Sequence, residues 1–207
     1  MFSGHSYAGF LAGNSLPYVD GTGIYAFKLN TSTLMVSTPF SVSCLTGKYA
    51  ISDLFAFSAK AGIGTVDYST VTGIRATTDP QIIGGAIEYM LSGNRNDSYQ
   101  AFICEYESVY WSINRKSNDS AEVLLAMDFS SVTAPNTRTR YRIGMHNFNA
   151  GYESEEKITT SVKYSLSTEI EYSFSRNFKG SLEGSIYFGD PVGGIIAAFG
   201  FGITIGS

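Results

Sequence analysis

The sequence predicts an all-β protein, a single closed antiparallel transmembrane β-barrel of about twelve strands, with eight to ten as the alternative, occupying residues 1–207 as one domain. Three observations predict it. Apolar and polar residues alternate with period two over segments of about ten residues or more, the periodicity of strands and not of helices. Short polar turns separate these segments. Charged residues make up only 15% of the chain, against about 25% in ordinary soluble domains, while mean hydropathy is near zero. Such a balance suits a wall with one apolar face and one polar face. No run of about 18 apolar residues occurs, so a membrane-crossing helix is not expected.

Taken in order, Phe2 to Gly13 is aromatic and glycine-rich and reads as a poorly alternating strand. From Gly21 to Asn30, Tyr25, Phe27 and Leu29 alternate with Ala26 and Lys28. Asn30-Thr31-Ser32 reads as a turn into a strand with Leu34, Val36, Phe40, Val42 and Cys44 on one parity. Pro39 cannot donate to a ladder there, so a bulge or break is expected. After a turn at Thr46-Gly47-Lys48, Tyr49, Ile51, Phe55, Phe57, Ala59, Ala61 and Ile63 keep one parity, with Ser52, Ser58 and Lys60 opposite. Between Asp67 and Pro80 a short strand around Val71 to Ala76 is expected, then a loop at Thr78-Asp79-Pro80.

Ile83, Gly85, Ile87, Tyr89 and Leu91 alternate before the turn Gly93 to Asp97. Phe102, Cys104, Tyr106 and Tyr110 form the outward parity of the next strand, opposite Glu105 and Glu107. Lys116 to Asp119 reads as a turn, followed by Val123, Leu125, Met127 and Phe129 opposite Glu122 and Asp128. From Thr137 to Asn149, Tyr141, Ile143 and Met145 oppose Arg138, Arg140 and Arg142, which repeat about every 6.6 Å along a strand. Ile158, Val162, Tyr164, Leu166, Ile170, Tyr172 and Phe174 then oppose Lys163, Glu169 and Glu171. Ser175-Arg176-Asn177 turns the chain into a final hairpin. Its first arm sets Leu182, Ile186 and Phe188 against Ser181, Glu183, Ser185 and Tyr187; its second, past Gly189 to Gly193, carries Ile195, Ala197, Phe199, Phe201, Ile203 and Ile205 on one side.

Aromatic residues recur near strand ends, where the two girdles of a membrane barrel would lie: Tyr18, Tyr25, Tyr49, Tyr68, Tyr99, Tyr110, Tyr141, Tyr152 and Phe188. In this pattern nearly the whole chain resembles the bacterial outer-membrane β-barrel proteins as a class, including the small porin-like barrels. The resemblance implies the bacterial outer membrane as location, the lipid bilayer as partner, and a small passive channel as function. An anchoring barrel of a larger envelope assembly, with other envelope proteins or further copies of itself as partners, is the alternative. Members of the class commonly end on a terminal aromatic, whereas this chain ends Gly202-Ile203-Thr204-Ile205-Gly206-Ser207. Met1 to His5 lacks a basic region followed by an apolar core, so a signal segment is expected to have been removed, or the chain is not exported.

If the apolar parity faces lipid, Arg138, Arg140, Arg142 and Lys163 converge on the lumen with Glu105, Glu107, Glu122, Asp128, Glu169, Glu171 and Glu183. Two readings follow: a water-filled pore whose charged wall selects solutes, or a network that neutralises itself and plugs the barrel. Strand number bears on the choice, since about eight strands already give a side-chain-filled interior and twelve favour a narrow channel.

Other classes find little support. A formal net charge of -4 without a basic cluster argues against nucleic acid. Gly62-Ile63-Gly64 and Gly200-Phe201-Gly202 sit inside strand patterns, so no phosphate loop and no cofactor are expected. Cys44 and Cys104 fall in separate strands and are expected as free thiols, too few for a metal site. Only His5 and His146 could serve as catalytic bases; His146 could approach Ser154 or Glu155, but no nucleophile motif accompanies it, so an enzyme is not expected. A soluble all-β adhesion or shell module would alternate too. Its strands would usually run to five or six residues, however, and alternation here persists beyond 12.

Overall fold

Residues 16–19, 23–35, 40–69, 75–113, 116–152, 155–189 and 195–206 are described by the computed structural model. The alternating segments form β1 (Tyr25–Met35), β2 (Phe40–Ala50), β3 (Phe55–Ser69), β4 (Arg75–Thr78), β5 (Gln81–Gly93), β6 (Ser98–Ile113), β7 (Lys116–Ala134), β8 (Thr137–Tyr152), β9 (Glu155–Ser175), β10 (Phe178–Gly189) and β11 (Ile196–Gly206). Each pairs antiparallel with its neighbours, and β1 pairs with both β2 and β11, which closes the sheet. β3 pairs first with β4 and then with β5, which are separated only by Asp79 and Pro80. These two segments make one interrupted stave, and the barrel has ten strands among the described residues. Proline has no N–H to give a ladder, so the stave breaks at Pro80; its carbonyl still accepts from the Gly64 N–H at 2.7 Å.

An even number of staves puts the beginning of β1 and the end of β11 on one rim, with Ala26 opposite Gly206. The tight turns among the described residues lie on that rim: Ile51–Leu54, Asn94–Asp97, Pro135-Asn136 and Arg176-Asn177. Asn136 adopts φ 63°, a left-handed conformation that asparagine tolerates. At Ile51–Leu54 the Ser52 hydroxyl accepts the Phe55 N–H at 3.0 Å.

The outer surface is apolar on every stave whose side chains are described, with Leu182 69%, Ile63 66% and Phe174 64% exposed. A continuous belt of this kind is a liability in water and the expected surface in lipid. No helix is long and apolar enough to cross a membrane; the strands cross it instead. Near the tight-turn rim Phe55 contacts Tyr89, and Phe174 contacts both Tyr172 and Phe178. Toward the other rim Tyr164 stacks on Phe188. From Phe174 to Tyr164 is about 33 Å along β9, or about 25 Å across the membrane at a tilt near 40°, the height of a barrel's apolar band.

Several sequence-based boundaries shift. The count of twelve included Phe2 to Gly13, which lies outside the described residues, and a separate stave near Val71 to Ala76, where the structure has β4 as part of an interrupted one. Asn30-Thr31-Ser32 and Thr46-Gly47-Lys48 are not turns but strand interior: Asn30, Ser32, Thr46 and Lys48 are polar because they face inward. Lys116 to Asp119 is likewise no turn but the opening of β7. Val42 and Cys44 face inward and Leu45 outward, the reverse of the expected parity. Room for Cys44 comes from Gly62, where a Cβ would lie 2.8 Å from the Ser43 carbonyl oxygen. Tyr18 and Tyr99 are buried inside the barrel and not in a girdle, whereas Tyr25, Tyr49, Tyr110, Tyr141 and Phe188 are exposed outside. The side chains of Tyr68 and Tyr152, and the expected break at Pro39, lie outside the described residues.

A detergent-folded sample should migrate differently on SDS gels before and after boiling and give a β-type circular dichroism spectrum. Free solubility without detergent and an unchanged mobility would contradict a lipid-facing exterior.

Candidate functional site: the charged interior

Inward-facing positions carry half of the protein's charged side chains. Among the described residues nine Lys and Arg side chains are buried: Lys28, Lys48, Lys60, Arg95, Arg138, Arg140, Arg142, Lys163 and Lys179. Seven carboxylates are buried with them: Glu88, Glu105, Glu107, Glu122, Asp128, Glu169 and Glu171. Taking such groups out of water is costly unless each meets a partner, and the strand ladder supplies the partners.

Asp128 on β7 lies directly opposite Arg142 on β8, and the two form a forked pair, Nε to Oδ1 at 2.6 Å and Nη2 to Oδ2 at 2.9 Å. Arg140, one inward position nearer the tight-turn rim, reaches Glu169 on β9 at 3.1 Å and Asp128 at 3.9 Å. Glu169 also binds Lys28 across the barrel. Elsewhere Glu88 takes Lys48 at 2.7 Å and Arg95 at 2.5 Å, and Lys60 sits between Glu105 and Glu107. Glu122 takes Lys163 at 2.9 Å and His146 Nδ1, while His146 Nε2 lies 2.8 Å from Ser165 Oγ. Gly144 permits that contact, since a Cβ there would come within 2.8 Å of Ser165 Oγ.

Of the residues the sequence singled out, Arg138, Arg140, Arg142, Lys163, Glu105, Glu107, Asp128, Glu169 and Glu171 lie buried in the interior. Glu183 is half-buried and accepts from Ser185 at 3.3 Å. Asp128, Glu169, Arg140 and Arg142 come together. Arg138 stands apart from the carboxylates, and Glu105 and Glu107 meet Lys60, which sequence reasoning had only as a polar-face residue. Lys28, Lys48, Glu88 and Arg95 were missed as partners; Lys28 and Glu169 are separated by 141 positions, a distance no local pattern reveals.

His146 meets Glu122 and Ser165, not Glu155 or Ser154; Ser154 and the side chain of Glu155 lie outside the described residues. Ser165, His146 and Glu122 have the connectivity of nucleophile, base and acid, but Ser165 is 0% and His146 1% exposed, so the hydroxyl has no open face toward a substrate. Among the described residues no group of three or more His, Cys, Asp or Glu is placed to hold a metal ion. Cys44 and Cys104 are free, one facing inward and one outward.

The segment Leu16 to Val19 runs inside the barrel. Val19 packs on Ala26, Ala50 and Ala56. Tyr18 packs on Met90, Tyr99 and Ala101, and Leu16 on Ala86, Ile103, Leu124 and Ala126. Arg140 Nη1 donates to the Leu16 carbonyl at 2.7 Å, and Arg138 lies 3.8 Å over the Tyr18 ring. The sequence carried a signal for this: alanines and larger apolar residues interrupt the charged parity of β5, β6 and β7, which makes an apolar groove inside a polar lumen.

No known protein family and no curated protein matches the sequence. Solved structures do match. The β domain of the Bordetella autotransporter BrkA aligns with a TM-score of 0.61 at 11% identity, over 90% of this chain and 100% of that one. The translocator domain of autotransporter NalP from Neisseria meningitidis gives 0.45 at 10% identity, over 97% and 92%. The outer membrane protease OmpT from Escherichia coli gives 0.43 at 8% identity, over 93% and 98%. The likeness is one of fold: that of a bacterial outer-membrane β-barrel.

Replacing Asp128 with Ala leaves Arg142 without its forked partner in a buried site, a change worth about 3–5 kcal/mol. Urea unfolding of the lipid-reconstituted barrel should show the loss, with a much smaller one for Glu183→Ala, whose carboxylate is half-buried.

Proposed function

We propose that the protein is an outer-membrane barrel that is closed at rest and serves the envelope as a membrane anchor or scaffold. One observation carries this reading: at mid-barrel Asp128 and Lys163 are 0% and Arg142 2% exposed, whereas charges on a water-filled pore wall would be wet. Leu16 to Val19 occupy part of what space the charges leave. The bacterial outer membrane as location is supported by the apolar exterior and by the fold shared with the BrkA β domain. Catalysis forms no part of this reading.

A narrow channel is the second reading, favoured by the apolar groove beneath Leu16 to Val19. Were that segment to leave, a passage walled by Arg138, Arg140, Glu169 and Glu171 would remain, the solute selectivity then lying with these charges. No particular partner in the envelope follows from the anchor reading; other envelope proteins or a further copy are both compatible with it.

Planar-bilayer recording separates the two. Wild type should give no sustained ion-conducting steps, whereas the Leu16→Ala/Tyr18→Ala double variant, which loosens the segment, should conduct. Steady conductance by the wild type would overturn the closed-barrel reading. Arg140→Glu should then shift its ion selectivity toward cations.

A further inference from the structure

At the tight-turn rim, between the Pro135-Asn136 and Arg176-Asn177 turns, the barrel opens into a cavity of about 310 Å³ lined by Tyr18, Arg138, Glu171, Phe174, Arg176 and Lys179, among others. Among the described residues that line it, three cations face one carboxylate. Arg138 is the reason. Every other buried Lys or Arg among the described residues has a carboxylate within 4.0 Å, and Arg138 has none. Its guanidinium donates to neutral acceptors only, the Arg95 carbonyl at 3.0 Å, Ser130 Oγ at 3.1 Å and the Asp97 carbonyl at 3.2 Å. Glu171 is its direct neighbour in the β8–β9 ladder, yet that carboxylate turns to Lys179, 3.8 Å away.

Arg138 has an aromatic face where the other buried cations have a carboxylate. Arg138 lies 3.8 Å and Lys179 4.9 Å from the centre of the Tyr18 ring. A ring quadrupole offsets only part of the cost of a buried charge, and an interior that otherwise pairs its cations has left this one aimed at a cavity. We infer that the rim cavity binds a phosphate group, held by Arg138 and Arg176. Phosphate fits the two guanidinium groups: it brings between one and two negative charges and several acceptor oxygens, which donors converging from β8 and the Arg176 turn can share.

Two sources offer that chemistry at this place. Phe174 and Val132 border the cavity and are exposed on the outer wall, so the headgroup of an anionic phospholipid could enter while its acyl chains lie along the barrel. A soluble phosphate compound could reach the same cations from the aqueous side of the rim.

Phosphorus-31 NMR in a phosphate-free detergent at low ionic strength tests the site, with inorganic phosphate and dihexanoyl phosphatidylglycerol as separate probes. Saturable broadening is expected for at least one probe, and Arg138→Gln and Arg176→Gln should each weaken it by about tenfold. Binding of phosphatidylglycerol alone identifies a lipid site; comparable binding of inorganic phosphate identifies a soluble ligand. Should Arg138→Gln fail to give the heat-modifiable barrel, Arg176→Gln decides, since Arg176 is exposed in a turn. Absence of saturable binding by both probes, or binding unchanged in the folded variants, would overturn the assignment.

Discussion

Lipid offers no hydrogen bonds, so a sheet that crosses it must close on itself, and the rest of this structure follows from the number of strands at which it closes. Ten staves enclose a space little wider than the side chains that line it. The charges buried there meet one another across the lumen, Arg138 excepted. The exterior has the opposite constraint, since lipid tolerates Phe, Ile, Leu and Tyr and penalises ions. One alternation in the sequence answers both demands.

The interior pairs also fix how the strands slide against each other. Asp128 and Arg142 face each other directly in the β7–β8 ladder, and Arg140 and Glu169 do so between β8 and β9. A slip of one residue would turn a whole strand over and point its arginines at lipid, about 2–4 kcal/mol for each near the membrane centre. Buried ion pairs are poor evidence of stability in themselves. Here they have a second use: they make the wrong registers far worse than the right one.

This division of labour explains what could be read from the chain. From Arg138 to His146 and from Val162 to Phe188 most outward residues are large and apolar and most inward ones are charged or hydroxylated, so period two was legible, and the turns at Arg176 and Asn94 stood out. Near the start of the barrel the inward positions are Asn30, Ser32, Thr46 and Lys48, residues that also make turns, and strand interior was mistaken for turns. Val42 and Cys44 misled in the other direction: they are apolar and face inward beside glycines. Partners across the lumen were beyond reach, because Lys28 and Glu169, or Lys60 and Glu105, are joined by closure and not by local spacing. The same holds for Leu16 to Val19, whose contacts are spread over β1, β2, β3, β5, β6, β7 and β8.

Closure also constrains the order of assembly. The seam between β1 and β11 joins the first stave to the last, with Ala26 opposite Gly206, so the ring is complete only when the final strand is in place. Leu16 to Val19 precede that first stave and end up within the ring. They cover from within the apolar groove of alanines that the ring encloses, so one chain supplies both the wall and part of its filling.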